Sequence, residues 1–426
     1  MLKDRYENPL TTTSNAASDA YNTGMDRLLA GQAHVVEAFE AAVGHDDGFC
    51  LAHVGLARAH HSFAQIPEAR AALEQARQVT GGLSTQEQAH LHVLGLLIDG
   101  KVRDAYVAIR AHLVDYPRDA IIAQTSSSVF GLIGFSGKPG REAETLAYNA
   151  ALLPHYGEDW WCLSQYAFAL CETGNLDLAS EMIDRSLALN PHNAHGAHVR
   201  SHVWYEQGET QLGRDYLTDW MGDYDRSAVL HGHLAWHVAL WALEQGDTEA
   251  MWAAVDRDVA PDVTQALPIN TLTDMASILH RAEVAGVEVS ADRWRAVSEF
   301  ATAFFPKPSN AFVDVHAALA HAMAGNGDAL AQIIDNPRGP AADLVPDLAV
   351  GYREIAAGKW SDALPHFVNA MADHARVGGS RAQRDLLEYS LTACLLKQDK
   401  MEEAKRLLAV RRPLLTGALD RMAKAA

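Results

Sequence analysis

The sequence predicts an all-α fold: a single α-solenoid of stacked helix pairs covering residues 1–426, wound as a right-handed superhelix. Three observations carry this. Helix formers dominate, Ala and Leu above all, and no stretch alternates β-branched residues with the period of two that a strand needs. Turn glycines recur, and three of them, Gly100, Gly174 and Gly358, are followed by an alanine five positions on. The breaks between periodic stretches read as inter-helix loops rather than flexible linkers.

The glycine register sets the elements in order. Gly100 is followed by Ala105 and Pro117, Gly174 by Ala179 and Pro191, and Gly358 by Ala363. The middle stretch is the fullest, with Tyr166, Ala167, Leu170, Gly174, Ala179, Ile183, Leu187 and Pro191. It reads as a helix, a Gly-Asn turn, a second helix that touches the first closely at Ala179, and a proline stop. From Gly174 to the next turn glycine, Gly208, is 34 residues, the length of a tetratricopeptide-like unit. Gly31, Gly208, Gly246 and Gly325 continue the series with a drifting period, so the repeats are degenerate. They are most regular around 91–120, 160–191 and 346–375. Breaks fall near Gly81-Gly82, Gly137-Lys138-Pro139-Gly140, Pro306-Lys307-Pro308-Ser309 and Pro337-Arg338-Gly339-Pro340. One helix pair buries too little apolar surface to offset its ordering entropy; stacked pairs suffice, and they leave a concave face lined by the first helix of each pair.

Composition narrows the function. The net charge of −19 over 426 residues repels phosphate, which argues against nucleic acid or an anionic membrane as partner. No apolar run approaches the roughly 18–20 residues that span a bilayer, and the first residues lack the apolar core of a signal peptide. The four cysteines, Cys50, Cys162, Cys171 and Cys394, form no C-x-x-C pair. A cytoplasmic, reducing setting is expected. There is no G-x-G-x-x-G after a strand, no Walker A loop and no G-x-S-x-G elbow, so the familiar nucleotide and hydrolase chemistries find no motif.

Histidine supplies the one concentrated signal. Seven of the 21 fall between positions 192 and 237. His198/His202 and His233/His237 are i,i+4 pairs, one helical turn apart on one face. That spacing lets two imidazoles share a proton or a metal ion. Each pair sits on a first helix ending in Glu-Gln-Gly. Counted back from Gly208 and Gly246, the pairs are offset by 3 residues, about 4.5 Å of helix rise, so neighbouring first helices would bring them face to face. Asp274, Ser277, Asp314 and His316 fall at similar depth on later first helices. Trp236 and Trp160 are expected as apolar walls of such a groove. The plainer reading makes the histidines a solvated face or an internal hydrogen-bond network. Ser380 with Gln383 reads as a capping box opening a helix after Gly378-Gly379, and Arg381 and Arg384 at that helix start suit a carboxylate-bearing ligand.

The segments His198-Val199-Arg200-Ser201-His202, His233-Leu234-Ala235-Trp236-His237, Asp274-Met275-Ala276-Ser277 with Arg281, and Gly379-Ser380-Arg381-Ala382-Gln383-Arg384-Asp385 together resemble the tetratricopeptide repeat protein 38 family, also called StaR-like. The likeness runs over nearly the whole chain. It implies an α-helical repeat protein with no firmly assigned reaction; a bacterial member is associated with glycopeptide-antibiotic gene clusters, with a hydroxylating role suggested. Carried over by position, the family's polar motif residues fall on His198, His202, His233, Trp236, His237, Asp256, Asp274, Arg281, Asp314, His316, Gln383 and Arg384. The chain departs from the family at Arg381, where His is usual, and at His280, where Trp is usual.

The expectation is therefore a binding protein whose groove takes a small molecule or short peptide with an anionic group. His198, His202, His233 and His237 would supply neutral donors and acceptors, Trp236 a wall, and Arg384 the charge. The alternatives are an enzyme using the same histidines with Asp256 or Asp274 as acid–base groups or transition-metal ligands, and a scaffold for a protein partner with an open, peptide-sized groove. No other cofactor is expected.

Overall fold

The computed structural model describes residues 2–411 and Met422; the remaining C-terminal positions of the predicted solenoid, and Met1, lie outside the described residues. The architecture is the expected helical repeat. Among the described residues ten antiparallel helix pairs follow one another, from Asn15–Ala30 with Val35–His45 to Arg381–Leu396 with Met401–Arg411. Between the third and fourth pairs the register is broken. Ala120–Gln124 is a single short turn, residues 125–140 are irregular, and Arg141–Tyr156 resumes the helix. The break predicted at Gly137–Gly140 is thus a far longer segment. The chain also opens on a two-residue antiparallel pairing, Leu2–Lys3 with Pro9–Leu10, which is too short to leave an alternating pattern.

First and second helices differ in kind. In Leu176–Leu189 only Ala179, Met182, Ile183 and Ser186 are buried, one stripe of a surface helix. Trp160–Glu172 and His231–Glu244 are buried on nearly every side. A first helix buried all round must be covered on its concave face, and here the chain covers itself. The first repeat meets the fifth and sixth: Tyr224 donates its hydroxyl to the Gly31 carbonyl. Gly31 is left-handed at φ 66°, and a Cβ there would lie 3.2 Å from the His195 ring, so that seam requires glycine.

The C-terminal part closes a second seam. Arg376 Nε donates to the Gly137 carbonyl at 3.0 Å, and Arg141 Nη2 to the Gly379 carbonyl at 2.7 Å. The Arg381–Leu396 helix then lies against Ala194–Gln207 and Pro268–Val284. Tyr205 donates to Asp385 at 2.7 Å, and the Arg281 guanidinium reaches the Ala382 carbonyl. The concave side is therefore not an open groove. It is partly filled, and what is left is an axial cavity of about 970 Å³. No helix among the described residues is long and apolar enough to cross a membrane.

Candidate functional site

The Ala194–Gln207 and His231–Glu244 helices pack so that their i,i+4 histidines meet. Ligand nitrogens of His198, His202, His233 and His237 all lie within 4.8 Å of one another. His198 Nε2 stands 2.9 Å from His202 Nε2 and 3.1 Å from His233 Nε2. His233 Nδ1 stands 2.8 Å from Asp274 Oδ2 on the next first helix, Pro268–Val284. His202 and His237 are fully buried and the other two nearly so. Gly232, beside His233, lets the segment 258–266 pack closely on this helix, because a Cβ there would sit 2.4 Å from Thr264 Oγ1.

The surroundings are aromatic. Trp236 stacks on His233 at 5.2 Å between centroids, and Phe168 lies 4.9 Å from His202. Burial lowers His198 and His237 well below the ordinary imidazole range and brings His202 to about 3. Burial also pushes the Asp274 carboxyl up, against the pull of His233. Several polar atoms here have no protein partner: both nitrogens of His237, His202 Nδ1, Asp274 Oδ1 and Trp236 Nε1. Buried unpaired polar atoms are uncommon in native proteins, and each costs roughly 1–3 kcal/mol.

His198 and His233 reach the wall of the axial cavity, as does Gln383, whose Nε2 is also unpartnered. At about 970 Å³ the cavity is at the upper end of small-molecule sites, which run to about 1,000 Å³. Most of its lining is apolar, with Phe63, Phe130, Phe135 and Phe168 among the larger groups. The irregular segment 125–138 forms much of one side.

The other expected site residues fall elsewhere. Asp256 is exposed and paired with Arg293 at 2.6 Å, away from the imidazoles, so it is not a fifth ligand. Asp314 accepts from the Ser309 backbone, and burial pushes it up to about 7. His316 is tied to the Phe312 carbonyl at 2.7 Å. Arg281 is held by Tyr205 and Ala382, with its guanidinium 5.8 Å from the Trp236 ring. Trp160 belongs to the N-terminal core, 5.0 Å from the Arg5 guanidinium, rather than to the groove.

The largest correction concerns the charge. Ser380 and Gln383 form the predicted capping box, but the anion at this helix start is internal. Glu172 accepts the Arg381 backbone N–H at 2.9 Å, and Arg384 is buried against Glu142 with Glu172 3.9 Å away. Arg384 is spent on closing the superhelix and is not free for a ligand.

A residue that no sequence pattern singles out takes its place. Arg58, on Cys50–Ser62, faces the cavity and is 9% exposed. Its guanidinium bonds Ser62 Oγ and Gln124 Oε1, both at 2.6 Å, and Nε has no partner. No carboxylate pairs with it among the described residues, and burial lowers it to about 10. Only the fold, which turns this helix toward the axis, makes Arg58 visible.

No protein-family model matches the chain. Solved structures similar to it include the human IFIT1 dimer with PPP-AAAA, at 15% identity over 100% of this chain and 97% of that one, TM-score 0.45. Yeast Tom70 matches at 13% identity over 96% of this chain and 88% of that one, TM-score 0.37. These likenesses are too distant to add to the fold described above, and they say nothing about a ligand. What the chain itself displays is a helical-repeat protein with an axial cavity and a buried four-histidine cluster on its wall.

Proposed function

We propose that the protein binds a small organic molecule with an apolar body and an acidic group in the axial cavity. The observation that supports this is Arg58, a buried cation without a carboxylate, in a space otherwise lined mainly by apolar side chains. A desolvated guanidinium is costly unless it meets an anion, and a ligand carboxylate would supply one with bidentate geometry. Gln383 and the cluster imidazoles give neutral polar contacts that fix orientation.

The test is equilibrium binding of long-chain and aryl carboxylates against the matching alcohols. The acids are expected to bind about tenfold tighter or better, worth about 1.4 kcal/mol, and Arg58→Gln to erase the difference. Equal binding of acids and alcohols would sink the reading.

A second reading, catalysis on the bound molecule, is favoured by the His233–Asp274 pair. An imidazole held by a carboxylate on a cavity wall is the arrangement a general base uses. The resemblance to the StaR-like family belongs to this reading too, since it would make the reaction a tailoring step. A protein-partner scaffold is less favoured, because the concave face is occupied by the chain's own helix Arg381–Leu396.

A further inference from the structure

We propose that His198, His202, His233 and His237 form a four-imidazole centre for a divalent first-row transition metal, with Asp274 as its outer-sphere carboxylate. This goes beyond ligand binding in the cavity and does not depend on it.

The first argument is geometric. A tetrahedral ion with metal–nitrogen bonds of about 2.0–2.1 Å places its donors about 3.4 Å apart. The nitrogens here are 2.9 and 3.1 Å apart where closest and within 4.8 Å throughout. Small side-chain shifts reach the required spacing, on two rigid helices.

The second argument is proton bookkeeping. His198 Nε2 faces two other Nε2 atoms, and it carries either one hydrogen or one lone pair. If protonated, it serves one neighbour properly and the other poorly. If unprotonated, it has one lone pair for two approaches. No assignment of hydrogens satisfies both contacts, and His237 has no hydrogen-bond partner at either nitrogen. A cation accepting one lone pair from each ring removes the conflict at His198 Nε2 and gives one nitrogen of His237 a partner.

The third argument is the outer shell. A metal-bound imidazole commonly donates its other N–H to a carboxylate, which fixes the tautomer and raises the ligand's basicity. His233 Nδ1 and Asp274 Oδ2 at 2.8 Å are placed for that. The donor set is all nitrogen, so it suits Zn, Cu, Ni, Co or Fe and not Mg or Ca, which take oxygen ligands. His198 and His233 also border the cavity, so the ion would lie beside whatever the cavity holds.

The experiment is titration of chelator-treated full-length protein with Co²⁺, read by visible d–d absorption, and with Zn²⁺ and Mg²⁺ by calorimetry. One equivalent of Co²⁺ with a nitrogen-only spectrum is expected. Affinity should rise from Co²⁺ to Ni²⁺ to Cu²⁺ with Zn²⁺ below Cu²⁺, and Mg²⁺ should not bind. Asp274→Asn should weaken Zn²⁺ about 10–100-fold while keeping all four ligands. The double variant His202→Ala/His237→Ala should abolish stoichiometric binding; circular dichroism reports whether it folds, and the wild-type titration decides the question if it does not. Absence of stoichiometric Co²⁺ uptake by the wild type overturns the proposal, as does uptake that a folded double variant retains. Arg58→Gln should leave metal stoichiometry unchanged, so a failure of the cavity reading and a failure of the metal reading are told apart.

Discussion

His280 offers a clean measurement of how strongly this fold holds neutral imidazoles. It lies on Pro268–Val284, 1% exposed, with Nε2 2.9 Å from Ser390 Oγ and its ring edge-on to Tyr352. Burial lowers its folded value to about 4, with Arg281 adding to the shift, against an ordinary value of about 6.5 in the unfolded chain. Between those two values the unfolded state binds a proton that the folded state refuses, so stability falls as pH falls. From pH 7.5 to 5.5 the unfolded imidazole goes from about one-tenth to about nine-tenths protonated while the folded one stays neutral. One site then loses about 1.4 kcal/mol. Buried carboxyls such as Glu172 and Asp314, both pushed up to about 7 by burial, change stability in the opposite direction, so wild type alone does not isolate His280. The difference between wild type and His280→Gln does. Urea unfolding of both at the two pH values should show the variant gaining about 1.4 kcal/mol on wild type as pH falls, whatever its offset at pH 7.5. A gap that stays constant within error would mean that His280 titrates normally in the fold and that the burial argument used for the whole histidine set is wrong.

Other outcomes follow from the same contacts. Arg384→Met removes the nearer cation from buried Glu172 and half-buried Glu142, leaving Arg141 3.7 Å from Glu142, and should cost about 3–5 kcal/mol at pH 8, but less at pH 6, where Glu172, already pushed up to about 7, takes a proton; unfolding at the two pH values checks it. Gly232→Ala places a methyl 2.4 Å from Thr264 Oγ1 and should destabilise by about 1–3 kcal/mol through overpacking, with a matching loss of metal uptake because His233 is the next residue.

The helix pairs were legible because turn glycines such as Gly100, Gly174 and Gly358 have an alanine five positions on, and packed antiparallel helices impose that spacing locally. The meeting of the two histidine pairs was legible for the same reason: depth on a first helix can be counted from its turn, and neighbouring repeats share a register. What joins distant repeats left no such trace. Glu172 and Arg381 are 209 positions apart, so the capping box was readable while its anion was not. Arg58 sits in an unremarkable Ala-Arg-Ala-His-His run, and only superhelical closure gives it an axis to face. The irregular stretch after Gln124 was hidden by its own apolar content, since Val129, Phe130, Leu132, Ile133 and Phe135 resemble a buried helix until the glycines at 131 and 134 are weighed.

His237 separates a functional cluster from a structural one. A histidine kept for stability should have hydrogen bonds to lose, and this one has none: it is fully buried, both ring nitrogens lack partners, and its neighbours are three imidazoles and the rings of Trp236 and Trp241. Leucine fills a comparable volume without a polar atom. Removing two unsatisfied nitrogens should recover more than the altered packing costs, so metal-free His237→Leu is expected to be as stable as wild type or more stable by about 1–3 kcal/mol. The same variant should lose the extra stability that Zn²⁺ confers on wild type, because a ligand that binds only the folded state stabilises it in proportion to its affinity. A polar residue that weakens the free protein and strengthens the loaded one is held for what it binds. If His237→Leu instead unfolds several degrees below wild type in chelator, the imidazole is part of the packing, and the cluster is a feature of the core rather than a site.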